Sequence, residues 1–252
     1  MYRTCLFTGL AALFAFPALA ADGEENDPDF FGYSAGLKGS IGGNYLTVPE
    51  DVPPGFGELA FADGAGGFGG GGGIALEFRV LEGHLGLELD MLFEKSRNWA
   101  SITYSEVVET DWIYSFTSMR IPILLEGSLE NDTVRASIGV GPEFVVGLSC
   151  ETEIEVTEGS QYVVGQDLDS FLSAEDANDT FITAGLGFAF KVWMLSIDLD
   201  LRYAYNLTQP ENYLDRVEIQ GSGNNTSINT TASHTMDARI LLGVSYEGSF
   251  DI

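Results

Sequence analysis

Residues Leu195 to Leu207 read L-S-I-D-L-D-L-R-Y-A-Y-N-L and form the clearest strand pattern in the chain. The odd positions are apolar or aromatic, and the even positions are polar except for Ala204. A period of two predicts a β-strand with one apolar face and one charged face. In a soluble, water-filled barrel the apolar face would line the interior. The fold therefore depends on which of the two faces points outward.

The same alternation occurs in seven other segments, which cover residues 31–45, 67–80, 85–94, 112–126, 134–148, 182–190 and 237–250. The connections between the eight segments are alternately long and short: the long ones are 46–66, 95–110, 149–179 and 208–235, and the short ones are 81–84, 129–132 and 191–194. Tight turns at one rim and long loops at the other are typical of bacterial outer-membrane barrels. The pattern predicts an all-β, eight-stranded antiparallel up-and-down transmembrane barrel with short periplasmic turns and four long extracellular loops.

The distribution of charged residues indicates which face is interior. Bases are scarce, yet six of them lie on the polar faces of the predicted strands together with nine acids: Lys38, Arg79, Arg120, Arg135, Arg202 and Arg239 with Glu77, Glu88, Asp90, Glu126, Glu143, Asp198, Asp200, Asp237 and Glu247. If the polar faces pointed into solvent, there would be no reason for the scarce bases to be concentrated in the strands. A buried acid needs a cationic or hydrogen-bonding partner, so these residues are expected to form a luminal charge network.

The width of such a barrel limits what can pass through it. Eight strands enclose an interior only wide enough for side chains. We therefore expect a lumen plugged by ion pairs, in which the network residues have a structural role. A narrow porin-like channel is the alternative interpretation.

The first twenty residues have the layout of a secretory signal peptide. Arg3 precedes an apolar run of 16 residues that begins at Cys5 and ends with Ala18-Leu19-Ala20. That run is shorter than the roughly 20 residues of a membrane-spanning helix, which disfavours an N-terminal anchor. We expect residues 1–20 to be a signal peptide, 21–30 a flexible acidic leader and 31–252 the barrel domain, exported to the cell outer membrane.

Charge and cysteine content exclude several classes of partner and cofactor. Without residues 1–20 the chain has 10 Lys and Arg against 38 Asp and Glu, a formal charge of −28. Nucleic acid and anionic membrane surfaces are not expected as partners, because phosphate binding needs cations at the contact. Cys150 is then the sole cysteine, so no internal disulfide is expected, and no cofactor motif is present.

Three local features predict irregular strands. The alternation is poor over residues 112–117, where we expect a β-bulge. Pro122 and Pro142 each remove a donor from a strand ladder. The glycine run at residues 69–73 lacks the Gly-Lys-Ser/Thr of a phosphate loop and instead predicts room for bulky side chains in the lumen.

The longest predicted loop is strongly acidic. From Glu151 to Asp179 it contains nine acids and no base. Carboxylates are ligands that Ca²⁺ prefers, so a calcium site is one hypothesis for Glu151, Glu153, Glu155, Asp167 and Asp169. The alternative is a solvated, self-repelling loop, because no EF-hand spacing is present.

The two histidines permit one enzymatic hypothesis. His84 lies in a predicted periplasmic turn, whereas Ser233 and His234 lie at the outer end of the last strand, where Asp237 could orient the imidazole. Such a set would suit a small lipid-modifying enzyme of the outer membrane. Chance clustering of these residue types is the simpler interpretation, so no catalytic residue is predicted.

Two neighbouring segments resemble a known family. R-I-P-I-L-L-E-G (120–127) and A-S-I-G-V-G-P-E-F-V-V-G (136–147) are similar to the outer membrane protein β-barrel domain families, including the PorT-like group and the eight-stranded OmpA-like and OmpX-like barrels. The resemblance implies fold and location but no activity. Glu126 stands where members of the family often have a basic residue. Phe250 takes the place of the aromatic residue that members of the family have at their C-terminus.

The expected function is therefore non-enzymatic, with a structural or surface-interaction role carried by acidic external loops. The expected partners are outer-membrane lipid and the barrel-assembly machinery, with divalent cations as a further candidate. The sequence does not identify a protein partner.

Overall fold

The computed structural model describes residues 30–47, 59–61, 65–81, 84–104, 108–131, 133–158, 178–208, 217–221, 224–228 and 233–251. The predicted signal peptide, leader residues 21–29 and the candidate ligands Asp167 and Asp169 lie outside these ranges.

Eleven strands make up the described structure. They are β1 (Phe30–Thr47), β2 (Leu59–Phe61), β3 (Ala65–Val80), β4 (Leu85–Tyr104), β5 (Val108–Glu130), β6 (Val134–Glu158), β7 (Asp179–Val192), β8 (Leu195–Asn206), β9 (Val217–Gly221), β10 (Asn224–Ile228) and β11 (Ser233–Asp251). No helix among the described residues is long and apolar enough to cross a membrane.

Eight of the strands close into a barrel. The order around it is β4-β3-β1-β11-β8-β7-β6-β5, every pairing is antiparallel, and β4 also pairs with β5. This confirms the predicted eight-stranded up-and-down barrel. The short strand β2 pairs with the far end of β4, and β9 and β10 form a separate two-stranded sheet.

The orientation of the faces is inverted relative to a soluble barrel. In β8 the polar side chains Ser196, Asp198 and Arg202 are buried, whereas Ile197 and Leu201 are 46% and 44% exposed. Leucine, isoleucine, valine and phenylalanine side chains are exposed in the same way on the outer faces of the other long strands. Because the outside is apolar and the inside is charged, the outer wall suits a lipid bilayer.

Each of the four long predicted loops is strand over part of its length. In the first, residues 46–47 belong to β1, 59–61 to β2 and 65–66 to β3. Residues 95–104 belong to β4 and residues 108–110 to β5, and residues 149–158 belong to β6. In addition, β9 and β10 lie within the predicted loop at 208–235. The predictions ended the strands where charged residues replaced apolar ones on the outer face. Outward charges are costly only within lipid, so strand pairing continues beyond the apolar belt.

The predicted irregularity near residues 112–117 is a bulge. Thr117 of β5 pairs with Ser149 and Ser118 pairs with Gly147, so Leu148 is an extra residue on β6. A single extra residue reverses which side chains face inward, because the period of a strand is two. Before the bulge Glu143 is buried, and after it Glu151 is exposed, although both have odd numbers.

The two prolines interrupt the ladders on both sides of β5. On the β4 side the pairing passes from Leu89↔Ile123 to Leu92↔Arg120. On the β6 side it passes from Pro122↔Glu143 to Leu125↔Val140. A missing amide donor accounts for each gap, because proline cannot complete the ladder.

Candidate functional site

All fifteen residues assigned from sequence to a luminal network lie on inward-facing positions of the barrel strands. Thirteen are buried, and Asp200 and Glu247 are partly buried with 14% of each side chain exposed. Most of them form three clusters, which we name after their position along the barrel: turn-side, central and loop-side.

The turn-side cluster lies at the end of the barrel that carries the tight turns. It contains three bases and three acids: Arg79, Arg135 and Lys191 with Glu77, Glu130 and Glu247. Arg79 contacts Glu130 at 3.0 Å, and Arg135 contacts Glu77 at 2.8 Å. Glu130 and Lys191 were missed in the sequence, because both were assigned to turns.

The central cluster joins two bases to three acids. Arg202 contacts Asp90 at 2.6 Å, Glu88 at 2.9 Å and Asp200 at 3.1 Å. Lys38 contacts Asp200 at 2.6 Å and also forms an ion pair with Glu88. The Asp90 side chain is fully buried, so Arg202 supplies most of the compensation for its charge.

The loop-side cluster also contains two bases and three acids. Arg120 contacts Glu143 and Asp237, each at 2.5 Å, and Arg239 contacts Glu143 at 2.5 Å. Glu94 is 3.7 Å from Arg120. The sequence indicated Glu94 by its position on a polar face, but Glu94 was not counted as a network member.

Several of these contacts cross the barrel. In the order of strands around the wall, β4 is opposite β8, and β5 is opposite β11. The Arg202–Asp90 and Arg120–Asp237 pairs therefore each connect opposite walls. Between the turn-side and central clusters a cavity of about 30 Å³ is lined by Glu77, Glu88, Glu126 and Asp198 among others. That volume has room for a water molecule but not for a larger solute.

Apolar side chains also fill the lumen, and the sequence analysis missed them. Leu92, Leu124 and Leu241 are at most 1% exposed, and Phe181 is fully buried with the Arg120 guanidinium 5.2 Å from its ring centroid. Each leucine lies at an alternate position on the same face of its strand as the charged residues, as Leu92 does after Glu88 and Asp90. Continuing the alternation of inward positions along each strand would have identified them.

Two inward glycines outside the run predicted from sequence make room for bulky network residues, whereas within the run an added Cβ at Gly71 or Gly73 would meet backbone oxygens of β4 at 1.9 and 1.8 Å. A Cβ added at Gly42 would lie 2.5 Å from Cγ of Arg239, and one added at Gly243 would lie 2.9 Å from Cγ of Lys38. The absence of a side chain at these positions allows the base of the neighbouring strand to lie flat against the wall.

The structure separates the candidate calcium ligands. Glu151, Glu153 and Glu155 are exposed residues of β6, and they alternate along one strand instead of lying in a loop. Alternate residues of a strand are about 6.6 Å apart, so three of them do not converge on one ion. Within the described ranges no group of three or more His, Cys, Asp and Glu side chains is arranged to hold a metal ion.

Of the possible Ser/His/Asp set, the structure describes the side chain of Asp237. Asp237 is buried, and its carboxylate is 2.5 Å from the Arg120 guanidinium. Ser233 and His234 lie at the start of β11, and their side chains are outside the described part of the structure. His84 closes a tight turn, where its Nδ1 is 3.1 Å from the Ser128 carbonyl oxygen.

No protein-family model and no curated protein sequence matches this chain. Among solved structures, the chain is similar to the outer membrane protein OprG of Pseudomonas aeruginosa, with a TM-score of 0.41 and 11% identity over 88% of this chain and 97% of that one. It is also similar to Neisserial surface protein A, with a TM-score of 0.30 and 11% identity over 87% and 99% of the two chains. For Ail, the attachment invasion locus protein of Yersinia pestis, the TM-score is 0.29 at 12% identity, and coverage is 88% and 100%.

These similarities are weak, and the assignment of the protein to a membrane follows from its own surface. A closed eight-stranded barrel with an apolar outer wall and a charged interior is the architecture of outer-membrane β-barrels. The protein is an outer-membrane β-barrel.

Proposed function

We propose that the protein is a non-enzymatic barrel with a lumen closed by its own side chains, which holds an acidic extracellular surface in place for structural or surface-interaction roles. The observation that carries this proposal is the pair of contacts across the barrel, Arg202–Asp90 and Arg120–Asp237. Each connects opposite walls at a different height.

The ion pairs favour closure for an energetic reason. Each of the seven bases in the three clusters contacts at least two carboxylates. Opening a path for solutes would separate buried charges from several partners at once, which costs several kcal/mol per ion, in the range of about 3–5 kcal/mol. Thermal motion at room temperature does not supply that energy often enough for steady conduction.

The extracellular end supports a role in surface contact. Among the described residues, β3 last pairs with β4 at Gly66↔Trp99 and β7 last pairs with β6 at Val145↔Asp179, whereas β4, β5 and β6 pair with one another further along. The short strand β2 pairs with the end of β4. Glu151, Glu153 and Glu155 lie exposed on this part of β6. The whole chain carries a formal charge of −27. A cationic partner is favoured over an anionic one on electrostatic grounds.

Planar-bilayer recording tests the closed lumen. The folded protein is expected to give no stable single-channel steps, because side chains fill the cross-section at three levels. Heat-modifiable gel mobility of the same preparation would verify that the barrel is folded and inserted. Reproducible unitary steps from folded protein would contradict the proposal and support the narrow-channel alternative.

A second test addresses catalysis. The variant His234→Ala is expected to leave the lipid A profile of the cells unchanged, because Asp237 is held by Arg120 inside the lumen. Mass spectrometry of extracted lipid A, compared between the variant and the parent strain at equal expression, measures this. Loss of a modified lipid A species in the variant alone would establish the enzymatic alternative.

The finer assignments made from sequence remain part of this proposal. Membership of the PorT-like group is supported by segments 120–127 and 136–147, which lie on neighbouring strands and supply Arg120 and Glu143 to the loop-side cluster. Export by residues 1–20 and insertion by the barrel-assembly machinery complete it, with outer-membrane lipid as the surrounding partner.

A further inference from the structure

We propose that the outer wall of the barrel carries a binding site for a phosphorylated lipid of the outer leaflet, in which Lys95 and Arg97 contact the phosphate and the adjacent groove, with the glycine row of β3 beside it, receives an acyl chain. This site goes beyond the proposed function, because it depends on the outer wall and not on whether the lumen is closed.

The two bases are unusual in their orientation. Among the described residues the other seven Lys and Arg side chains belong to the three luminal clusters, whereas those of Lys95 and Arg97 are 64% and 61% exposed. The two residues are neighbours on the outer face of β4, between Phe93 and Trp99, which are 48% and 55% exposed. Aromatic residues mark the border of the apolar belt, so the bases lie at headgroup height.

A groove lies directly beside these bases. It has a volume of about 620 Å³, and its lining includes the apolar residues Ile41, Phe68 and Ile113 together with Lys95, Arg97, Glu151 and Glu153. The register places Gly70 next to Lys95 and Phe68 next to Arg97 on the adjacent strand. The groove therefore presents apolar surface beside two bases and the two carboxylates that pair with them.

A row of outward-facing glycines adjoins the groove, and Gly70 lines it. An added Cβ at Gly70 would lie 2.8 Å from the Ser40 carbonyl oxygen of β1, so the approach of that strand requires a glycine there. At Gly72 and Gly66 the nearest atoms are backbone oxygens at 3.0 and 3.6 Å, so the approach of β1 is less restrictive at these two positions. Gly39 is the neighbour of Gly72 on β1, and its added Cβ would also meet backbone atoms only. These glycines leave a shallow strip on the lipid-facing wall.

The ion pairs between the nearby acids and these two bases are weak. Glu151 is 3.8 Å from Lys95 and Glu153 is 3.9 Å from Arg97, and both carboxylates are more than 70% exposed. Exposed pairs at such distances contribute little, so a phosphate with more than one negative charge can replace the carboxylates.

The site favours a lipid over a free anion. The chain carries a net charge of −27, which repels a free phosphate ion before it reaches two bases. A lipid is already concentrated at the wall by its acyl chains, and burial of one chain in the groove adds apolar contact. Among lipids, the headgroup must be phosphorylated to complement Lys95 and Arg97.

Binding of purified bisphosphorylated lipid A to the folded full-length protein in nanodiscs or mild detergent tests the proposal, with native mass spectrometry as the readout. The Lys95→Gln/Arg97→Gln double variant is expected to bind about 25-fold more weakly, since each base near a charged headgroup contributes about fivefold. Both side chains are more than 60% exposed, so the variant is expected to fold, and heat-modifiable mobility would verify this.

Matched variants distinguish the contribution of the charged side chains to lipid binding from that of the shape of the wall. Glu151→Gln/Glu153→Gln removes the competing carboxylates and is expected to tighten binding. Gly39→Leu fills the strip without meeting a side chain and is expected to weaken binding of the acylated lipid while both bases remain.

Three outcomes would overturn the proposal: equal affinity of the double variant and the parent protein, equal affinity for lipid A from which the phosphates have been removed, or displacement of the lipid by millimolar inorganic phosphate. The last outcome would identify a free-anion site. None of them bears on channel recording, so the lipid site and the closed lumen can fail independently.

Discussion

Substitution of Arg202 by methionine is expected to lower the free energy of unfolding by about 3–5 kcal/mol, the range found when one partner of a buried ion pair is removed. Arg202 is 3% exposed and contacts Glu88, Asp90 and Asp200 within 3.1 Å. Its removal leaves three carboxylates to a single base, Lys38. Methionine retains much of the volume, so the loss reports charge and hydrogen bonding more than a cavity.

Urea unfolding of the protein refolded in detergent or lipid, followed by tryptophan fluorescence, measures this loss. Arg97→Met is the matched control, because it makes the same chemical change at an exposed pair with 3.9 Å between the charged atoms. Exposed pairs contribute about 0–1 kcal/mol, so the control is expected to be nearly neutral. Equal losses for the two variants would show that the lumen screens charge as well as bulk water does.

A second, compensating substitution tests whether Arg202 and Asp90 contribute to stability as one network. In the Arg202→Met/Asp90→Asn double variant one of the uncompensated acids is neutral, so part of the lost stability is expected to return. Non-additivity of about 1 kcal/mol or more is the signature of residues in one network. Strict additivity would mean that Arg202 and Asp90 act independently despite the 2.6 Å between them.

The sequence contained enough information to predict the wall of the barrel but not which charged side chains pair with one another inside it. The alternation in eight segments and the lengths of their connections were sufficient to predict strand number and topology, and the six bases on polar faces were sufficient to predict that the apolar faces point outward. The partner of each base depends on strand tilt and register around a closed sheet. Arg202 meets Asp90 from the opposite wall, and no local pattern in either strand encodes that meeting.

Strand ends were predicted less well, for a related reason. The apolar face was the signal for a strand, and it stops at Phe93 in β4, whereas pairing continues to Tyr104. In β6 the bulge at Leu148 exchanged the two faces, so the row of glutamates after it became outward-facing. The sequence indicated a bulge on β5, but which strand contained the extra residue depended on the pairing.

Substitution of Gly73 by alanine is expected to destabilise the barrel by about 3 kcal/mol, at the upper end of the usual cost of overpacking. An added Cβ would lie 1.8 Å from the Met91 carbonyl oxygen and 2.9 Å from Cα of Leu92. Both are backbone atoms of the neighbouring strand β4, so no rotamer change can relieve the contact. The β3–β4 ladder must separate locally, at a level where the wall surrounds the luminal clusters.

Gly127→Ala is the matched control and is expected to have the opposite sign. No heavy atom lies within 4 Å of a Cβ added at Gly127, and this glycine also lies within a barrel strand. At a compatible position, replacement of glycine by alanine stabilises a protein by about 0.4–1 kcal/mol, because it restricts the unfolded chain. Urea titration of both variants under the same conditions measures the difference. If the two variants unfold at the same urea concentration, the close approach of β3 and β4 at Gly73 is not a constraint on the fold.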